Sequence, residues 1–205
     1  MRQIQFISTL VGLSLCTACT VETEQDVRPE QSNTLVQEFA KDYPGLSASI
    51  YHGDKQVWAY HHGSDSLAAD VDINADTRFN IYSTAKAITG LAFAKLVSNG
   101  KISLDDKVSD IAPDLPEVFH PIAIKDLLSH RSGIRHYSSP LDWLGFAQQT
   151  CEAPKEGLGY IRQDTLLFEP GAKEHYSTFA FVLASELLNR ITGEDDFAAA
   201  LNTTL

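Results

Sequence analysis

A chain of 205 residues, 43% hydrophobic and 21% charged, holds enough apolar material for one packed domain and is not composed like a disordered one. Its net charge of −11 argues against a nucleic-acid partner, because phosphate contacts draw on a cationic surface. Otherwise the acidic balance speaks mainly for solubility.

Taken in chain order, the first segment reads as a targeting sequence. Arg2 gives a weakly positive start, and Ile4 to Cys16 is an apolar run of signal-peptide length, short for a membrane span. Cys16-Thr17-Ala18-Cys19 follows, with small residues ahead of a cysteine. That pattern suits lipoprotein processing, with residues 1–18 removed and Cys19 acylated as a membrane anchor. Ordinary cleavage after Ala18 is the competing reading. Acylation of Cys19 would leave Cys151 alone. Without it, a Cys19–Cys151 bridge is conceivable. Residues 19–33 are polar, with Glu, Gln and Pro29, and read as a tether. The domain proper is then residues 34–205.

Thr34 to Lys41 has helical spacing of apolar residues, with Thr34 as a cap candidate and Pro44-Gly45 as a stop. Leu46–His52 and Gln56–His62 read as two strands joined by a turn at Gly53-Asp54. After a polar loop and an extended stretch, Ser83 to Ser98 reads as a helix ended by Asn99-Gly100. A short amphipathic piece over 104–111 and a loop marked by Pro113, Pro116 and Pro121 lead to a short helix at 124–129. Residues 134–160 read as irregular and aromatic-rich. Thr178 to Ile191 reads as a strongly apolar helix, with Ser177 or Thr178 as its cap and Gly193 beyond its end. A further helix starts near Ala198.

The chemistry centres on Ser83-Thr84-Ala85-Lys86. A serine hydroxyl needs a neighbouring base to act as a nucleophile, and a spacing of i, i+3 puts both side chains on one face of a helix. Spacing alone does not single out this pair, since Ser98 and Lys101 share it. The second pair, however, is split by the helix-ending Asn99-Gly100. The helix after Ser83 is almost wholly apolar, so it is expected to be buried, with Lys86 desolvated and its pKa lowered towards that of a usable base. Ser83 at the helix start also lies near free backbone N–H groups able to hold an oxyanion.

Four collinear stretches resemble the family of class C β-lactamases and D-alanyl-D-alanine carboxypeptidases. They are Pro44-Gly45-Leu46 with its hairpin, residues 75–90 around Ser83-x-x-Lys86, Leu127-Leu128-Ser129-His130-Arg131-Ser132-Gly133-Ile134, and Phe168 to Gly193. The resemblance implies Ser83 as nucleophile, Lys86 as base, and Tyr176 as the partner that relays the proton. The family usually has Asn two residues after this tyrosine. Here Thr178 stands in that substrate-binding place, in a Tyr-Ser-Thr variant similar to the mitochondrial serine β-lactamase-like branch of the family. The resemblance also implies a Lys/His-x-Gly strand later than residue 205.

The fold expected is α/β (α+β), a β-lactamase/transpeptidase-like antiparallel sheet flanked by helices, incomplete at the C-terminal side. The function implied is hydrolysis of an amide or ester (a β-lactam, a D-Ala peptide or another small substrate) through an acyl-enzyme, in the periplasmic cell envelope. A truncated or non-catalytic envelope lipoprotein retaining the fold is the alternative. No metal spacing or cofactor motif is present, and the histidines, including His61, His62, His130 and His136, read as surface or loop residues. Trp58 and Trp143 read as core or loop packing residues, with the lining of a substrate cleft as the alternative.

Overall fold

The computed structural model describes residues 29–65, 71–148 and 153–205. The expectations for the signal segment, Cys19 and Cys151 fall outside these residues. The chain divides into two compact units, the first ending at Phe79 and the second covering Asn80–Leu205.

In the first unit, α1 covers Pro29–Ala40, followed by β1, Gly45–His52, and β2, Lys55–Gly63. The helix begins five residues before Thr34, which therefore does not cap it. Instead the Thr34 hydroxyl donates back to the Glu30 carbonyl at 3.0 Å, inside the helix. Proline suits a helix start, because its missing N–H would have no partner there anyway. The strands pair antiparallel, from Gly45 opposite Gly63 to His52 opposite Lys55, with an irregularity between Ile50 and Tyr51. The Trp58 indole N–H donates to Asn33 Oδ1 at 2.9 Å, fastening α1 to β2. Trp58 is thus a packing residue, as expected.

The second unit is helical among its described residues. α2 spans Ala85–Ser98, α3 Val108–Ile111, α4 Ile124–Leu128, α5 Pro140–Ala147, α6 Pro154–Gly157, α7 Thr178–Thr192 and α8 Phe197–Thr204. Its centre is α7, where Phe179, Ala180, Leu183, Ala184, Leu187 and Leu188 are fully buried. This repeat by threes and fours is a helix with one wide apolar face. Phe93 of α2, Val108 of α3, Ile124 and Leu127 of α4, and Ala200 of α8 join it in one core. Ser177 is the cap: its hydroxyl accepts the Ala180 N–H at 3.0 Å. Gly193, at φ 77°, closes the far end.

Two expectations need correction here. Residues 134–160 are not irregular throughout. They contain α5 and α6, each opened by a proline, and the Ser139 hydroxyl caps α5 through the Asp142 N–H. Nor is α2 buried all round. It buries Thr89, Ala92, Phe93 and Leu96, and leaves Ile88 and Leu91 on the outside. An apolar composition fixed the helix but not how many of its faces are covered.

Candidate active site

The site is assembled from three pieces of the second unit. The first is the turn that leads into α2. Asn80 Oδ1 accepts the Tyr82 N–H at 2.9 Å, and the Thr84 N–H reaches the Ile81 carbonyl at 3.0 Å. Residues Tyr82–Thr84 therefore form a single 3₁₀ turn, and the α-helix starts at Ala85. Ser83 thus stands just ahead of α2 and not in its first turn. Tyr82 takes a left-handed φ of 44°, a conformation that bulky residues hold only where neighbouring contacts impose it.

The second piece is the loop after α4. His130 has φ 59°, and Gly133 has φ 78°. A side chain at Gly133 would meet the Phe168 carbonyl oxygen at 2.3 Å, so only glycine fits. This loop pairs with the third piece, the stretch that precedes α7. The Leu167 N–H donates to the Gly133 carbonyl, the Gly171 N–H to the Arg131 carbonyl and the His175 N–H to the His130 carbonyl, each at 2.8 Å. The Arg131 guanidinium also donates to the Gly171 carbonyl.

Together these contacts deliver Tyr176 to Ser83. The two hydroxyl oxygens are 2.7 Å apart, and Lys86 Nζ donates to Ser83 Oγ at 3.1 Å. Lys86 also lies 5.2 Å from the centre of the Tyr176 ring and 5.6 Å from that of Phe181. Burial pushes the Tyr176 phenol up. Hydrogen bonds from Ser83 and Lys86, the Lys86 charge and a hydrogen bond from Thr178 outweigh it and hold the phenol below its ordinary value of 10. Lys86 itself is only partly buried, because α2 is covered on one face. The full desolvation expected from the apolar sequence is therefore not present.

Arg135 supports the site from behind. It donates to Asp164 at 2.5 Å, to Asp142 at 2.8 Å, and to the carbonyls of His136 and Tyr160, and its guanidinium lies 5.1 Å from the centre of the Phe179 ring. Its own carbonyl accepts the Ser177 hydroxyl at 2.8 Å. Among the described residues no three His, Cys, Asp or Glu side chains converge as metal ligands would.

The profile of the Beta-lactamase family matches residues 33–205. This chain belongs to the beta-lactamase family. The mitochondrial serine beta-lactamase-like protein LACTB of Homo sapiens is 23% identical to it, over 88% of this chain and 44% of its own length. The teichoic acid D-alanine hydrolase of Staphylococcus aureus is 26% identical, over 72% and 35% respectively. The chain thus spans less than half the length of these curated relatives. Among solved structures, EstCE1, a hydrolase with promiscuous acyltransferase activity, superposes with a TM-score of 0.70 at 23% identity. That match covers 84% of this chain and 49% of the other, and it bears on the fold alone.

In this member of the beta-lactamase family the structure brings Tyr176, 93 residues further along the chain, onto the neighbouring pair Ser83 and Lys86. Thr178, at the first position of α7, is half-buried, and its side chain favours ionisation of both Tyr137 and Tyr176. Cys19 lies outside the described residues. Sequence reasoning missed His130 and His136, whose rings lie 4.4 Å and 5.2 Å from that of Tyr176. It also missed Arg135. Neither histidine sits on a helix or strand, so no periodicity marked them. The only available signal was their place in and just after the family segment ending at Ile134.

Proposed function

We propose that this protein is a serine hydrolase that cleaves an amide or ester through an acyl-enzyme on Ser83. The observation that carries the reading is Ser83 Oγ held between Lys86 Nζ and the Tyr176 hydroxyl. In the first step Oγ attacks the substrate carbonyl carbon as its proton passes to the oxygen of Tyr176, which starts as the phenolate, and the carbonyl π pair moves onto oxygen. Collapse of the tetrahedral adduct expels the amine or alcohol, which takes its proton from Tyr176. Water then enters, gives a proton to Tyr176 and adds to the acyl carbon, and Ser83 leaves with that proton restored. Lys86 favours the phenolate by its charge and is the second group within reach of the Ser83 proton. Thr178 is the substrate-contacting residue in this scheme.

The family membership supports hydrolysis, and the relative named for removing D-alanine from teichoic acid supports a D-alanyl ester or amide as the substrate class. That relative also favours the cell envelope as the place of action. In this reading residues 1–18 direct export, and a lipid on Cys19 holds the protein at the membrane. No helix of the described residues is long and apolar enough to cross a membrane by itself.

The test is covalent labelling of the full chain by a fluorophosphonate and by a fluorescent β-lactam. One adduct, mapped to Ser83 and lost in Ser83→Ala, is the expected result. A folded chain that takes up neither reagent would sink the proposal.

A further inference from the structure

The backbone on both sides of Tyr176 is tied to imidazoles. The His130 carbonyl accepts the N–H of His175, and His130 Nδ1 accepts the N–H of Ser177 at 3.3 Å. One residue therefore holds the chain immediately before and immediately after the tyrosine. His136 Nδ1 accepts the next N–H, that of Thr178, also at 3.3 Å. These two amides open α7, where backbone donors have no partner within the helix. The same two rings lie against the phenol, His130 tilted by 42° and His136 edge-on at 87°.

A backbone N–H can only donate. Each Nδ1 must therefore present a lone pair, which places the single ring proton of each histidine on Nε2. We propose that His130 and His136 are positioning residues for Tyr176, and that they hold it only as neutral, Nε2-protonated imidazoles. This rests on the serine-hydrolase reading for its catalytic consequence, but not for its chemistry. A second proton would sit on Nδ1 and point at an N–H that has nothing to accept it with. The bond becomes a repulsion, the start of α7 loosens, and the contact between the phenol and Ser83 loosens with it.

The surroundings oppose that second proton. Lys86 of α2 faces both rings, and His175 and His130 add to the unfavourable environment of His136. Glu174 acts the other way on His130, as does Asp142 of α5 on His136. Burial is the largest influence on each ring and Lys86 the next, so both imidazoles are held below their ordinary value of 6.5. The conformation of His130 fits the same role. Its φ of 59° is uncommon for a residue with a side chain, and it occurs at the residue that makes both bonds bracketing Tyr176.

The experiment has two readouts on the full chain. The first is the rate of fluorophosphonate labelling from about pH 5 to about pH 8.5, spanning the imidazole range. The second is imidazole ¹⁵N NMR, which reads the tautomer without any reaction. Asparagine supplies an oxygen near the place of Nδ1, cannot titrate and tolerates a positive φ. The paired variant His130→Asn, His136→Asn is expected to label within a few-fold of wild type near pH 8 and to lose much of the fall at acid pH. His136→Phe keeps a ring but no acceptor, and its labelling is expected to drop by about 10²-fold across the range, the scale of a misplaced catalytic group. An acid limb unchanged in the asparagine pair would overturn the proposal, as would wild-type labelling in His136→Phe. So would NMR signals of Nδ1-protonated rings at neutral pH. If the wild type labels at no pH, the hydrolase reading fails, and the NMR tautomer still decides the role of the histidines.

Discussion

Ser83 and Tyr176 are 93 residues apart in sequence, yet their hydroxyl oxygens are 2.7 Å apart. Neither side chain is buried; Tyr176 is 43% exposed. Their contact is therefore set by the backbone beneath them and not by a packed cavity. Removing the phenol oxygen alone should leave that backbone intact. Tyr176→Phe is expected to slow labelling of Ser83 by about 10²- to 10⁴-fold, the range for loss of a positioned proton acceptor. Unchanged circular dichroism and melting temperature would accompany the loss. Labelling within a few-fold of wild type would remove Tyr176 from the proposed mechanism.

Lys86 acts on the tyrosine as well as on the serine. Its charge and hydrogen bond are among the causes that hold the Tyr176 phenol low, while burial pushes the other way. Lys86→Met keeps an apolar chain over the Tyr176 and Phe181 rings and removes the charge. The phenol is then expected to titrate at higher pH than in the wild type, seen by ultraviolet difference titration with Tyr176→Phe as the blank. An unmoved titration would show that Lys86 does not set the ionisation of Tyr176.

The histidines give a stability signature independent of any reaction. Both are depressed in the folded protein, by burial first and by Lys86 next. A depressed imidazole means that the unfolded chain binds protons which the folded chain refuses, so stability rises with pH through this window. Their contribution is complete above about pH 6.5, the unfolded value, and declines as pH falls from there towards the lower folded values. Urea midpoints measured between about pH 7.5 and about pH 5 should decrease in the wild type. The decrease should be smaller in the paired His→Asn variant. Equal slopes in the two proteins would contradict the assignment.

Much of this was legible in the sequence, for reasons that differ by element. The stripe of Phe179, Leu183, Leu187 and Leu188 marked α7, and Ser177 and Gly193 marked its ends, because helix periodicity and capping are local. Ser83 and Lys86 stand out by spacing plus an apolar context, whereas Tyr176 is implied only by the family resemblance, in its place between Pro170-Gly171 and that capped helix. What stayed hidden is non-local. Whether Ile88 and Leu91 of α2 are covered depends on what else packs there, and no window of sequence contains that. The helical turn of α5 was obscured because it buries none of its own residues, leaving Leu141, Trp143 and Leu144 exposed on an element too short to show a period. Trp143, expected as a packing residue, is 45% exposed for the same reason. The two histidines act on backbone N–H groups, and Arg135 on a mixture of carboxylates and carbonyls, and the sequence carries no pattern for either.

Gly133 tests whether the loop is as tightly determined as its contacts require. At φ 78° an alanine is strained, and its Cβ would also meet the Phe168 carbonyl at 2.3 Å. Backbone stands on both sides of that clash, so no side-chain rotation relieves it. Gly133→Ala is expected to destabilise the protein by about 2–3 kcal/mol, the upper part of the range for one strained residue. The Leu167–Gly133 hydrogen bond should open with it. Hydrogen exchange at Leu167, faster in the variant than the global loss of stability accounts for, would report that local opening. A neutral alanine would mean that the loop has slack.

Arg135 is the remaining fixed point, and its removal separates charge from packing. Its side chain is 23% exposed, while that of Asp142 is 14% and that of Asp164 39% exposed. The Asp142 bond is thus the better shielded of the two. Asp142 is held below the ordinary carboxylate range, first by the Ser138 N–H, against an opposing push from burial, and then by the Arg135 charge. Arg135→Met preserves contact with the Phe179 ring and leaves both carboxylates without their cation. A loss of about 2 kcal/mol is expected, as for a charged hydrogen-bond network of intermediate exposure. Asp142 keeps its bonds from Ser138, so the start of α5 should survive. The variant should therefore melt earlier yet still label at Ser83, because the Ser177 hydroxyl bonds to the carbonyl of residue 135 and not to its side chain. Loss of labelling in a folded Arg135→Met protein would instead make the guanidinium part of the support for Tyr176.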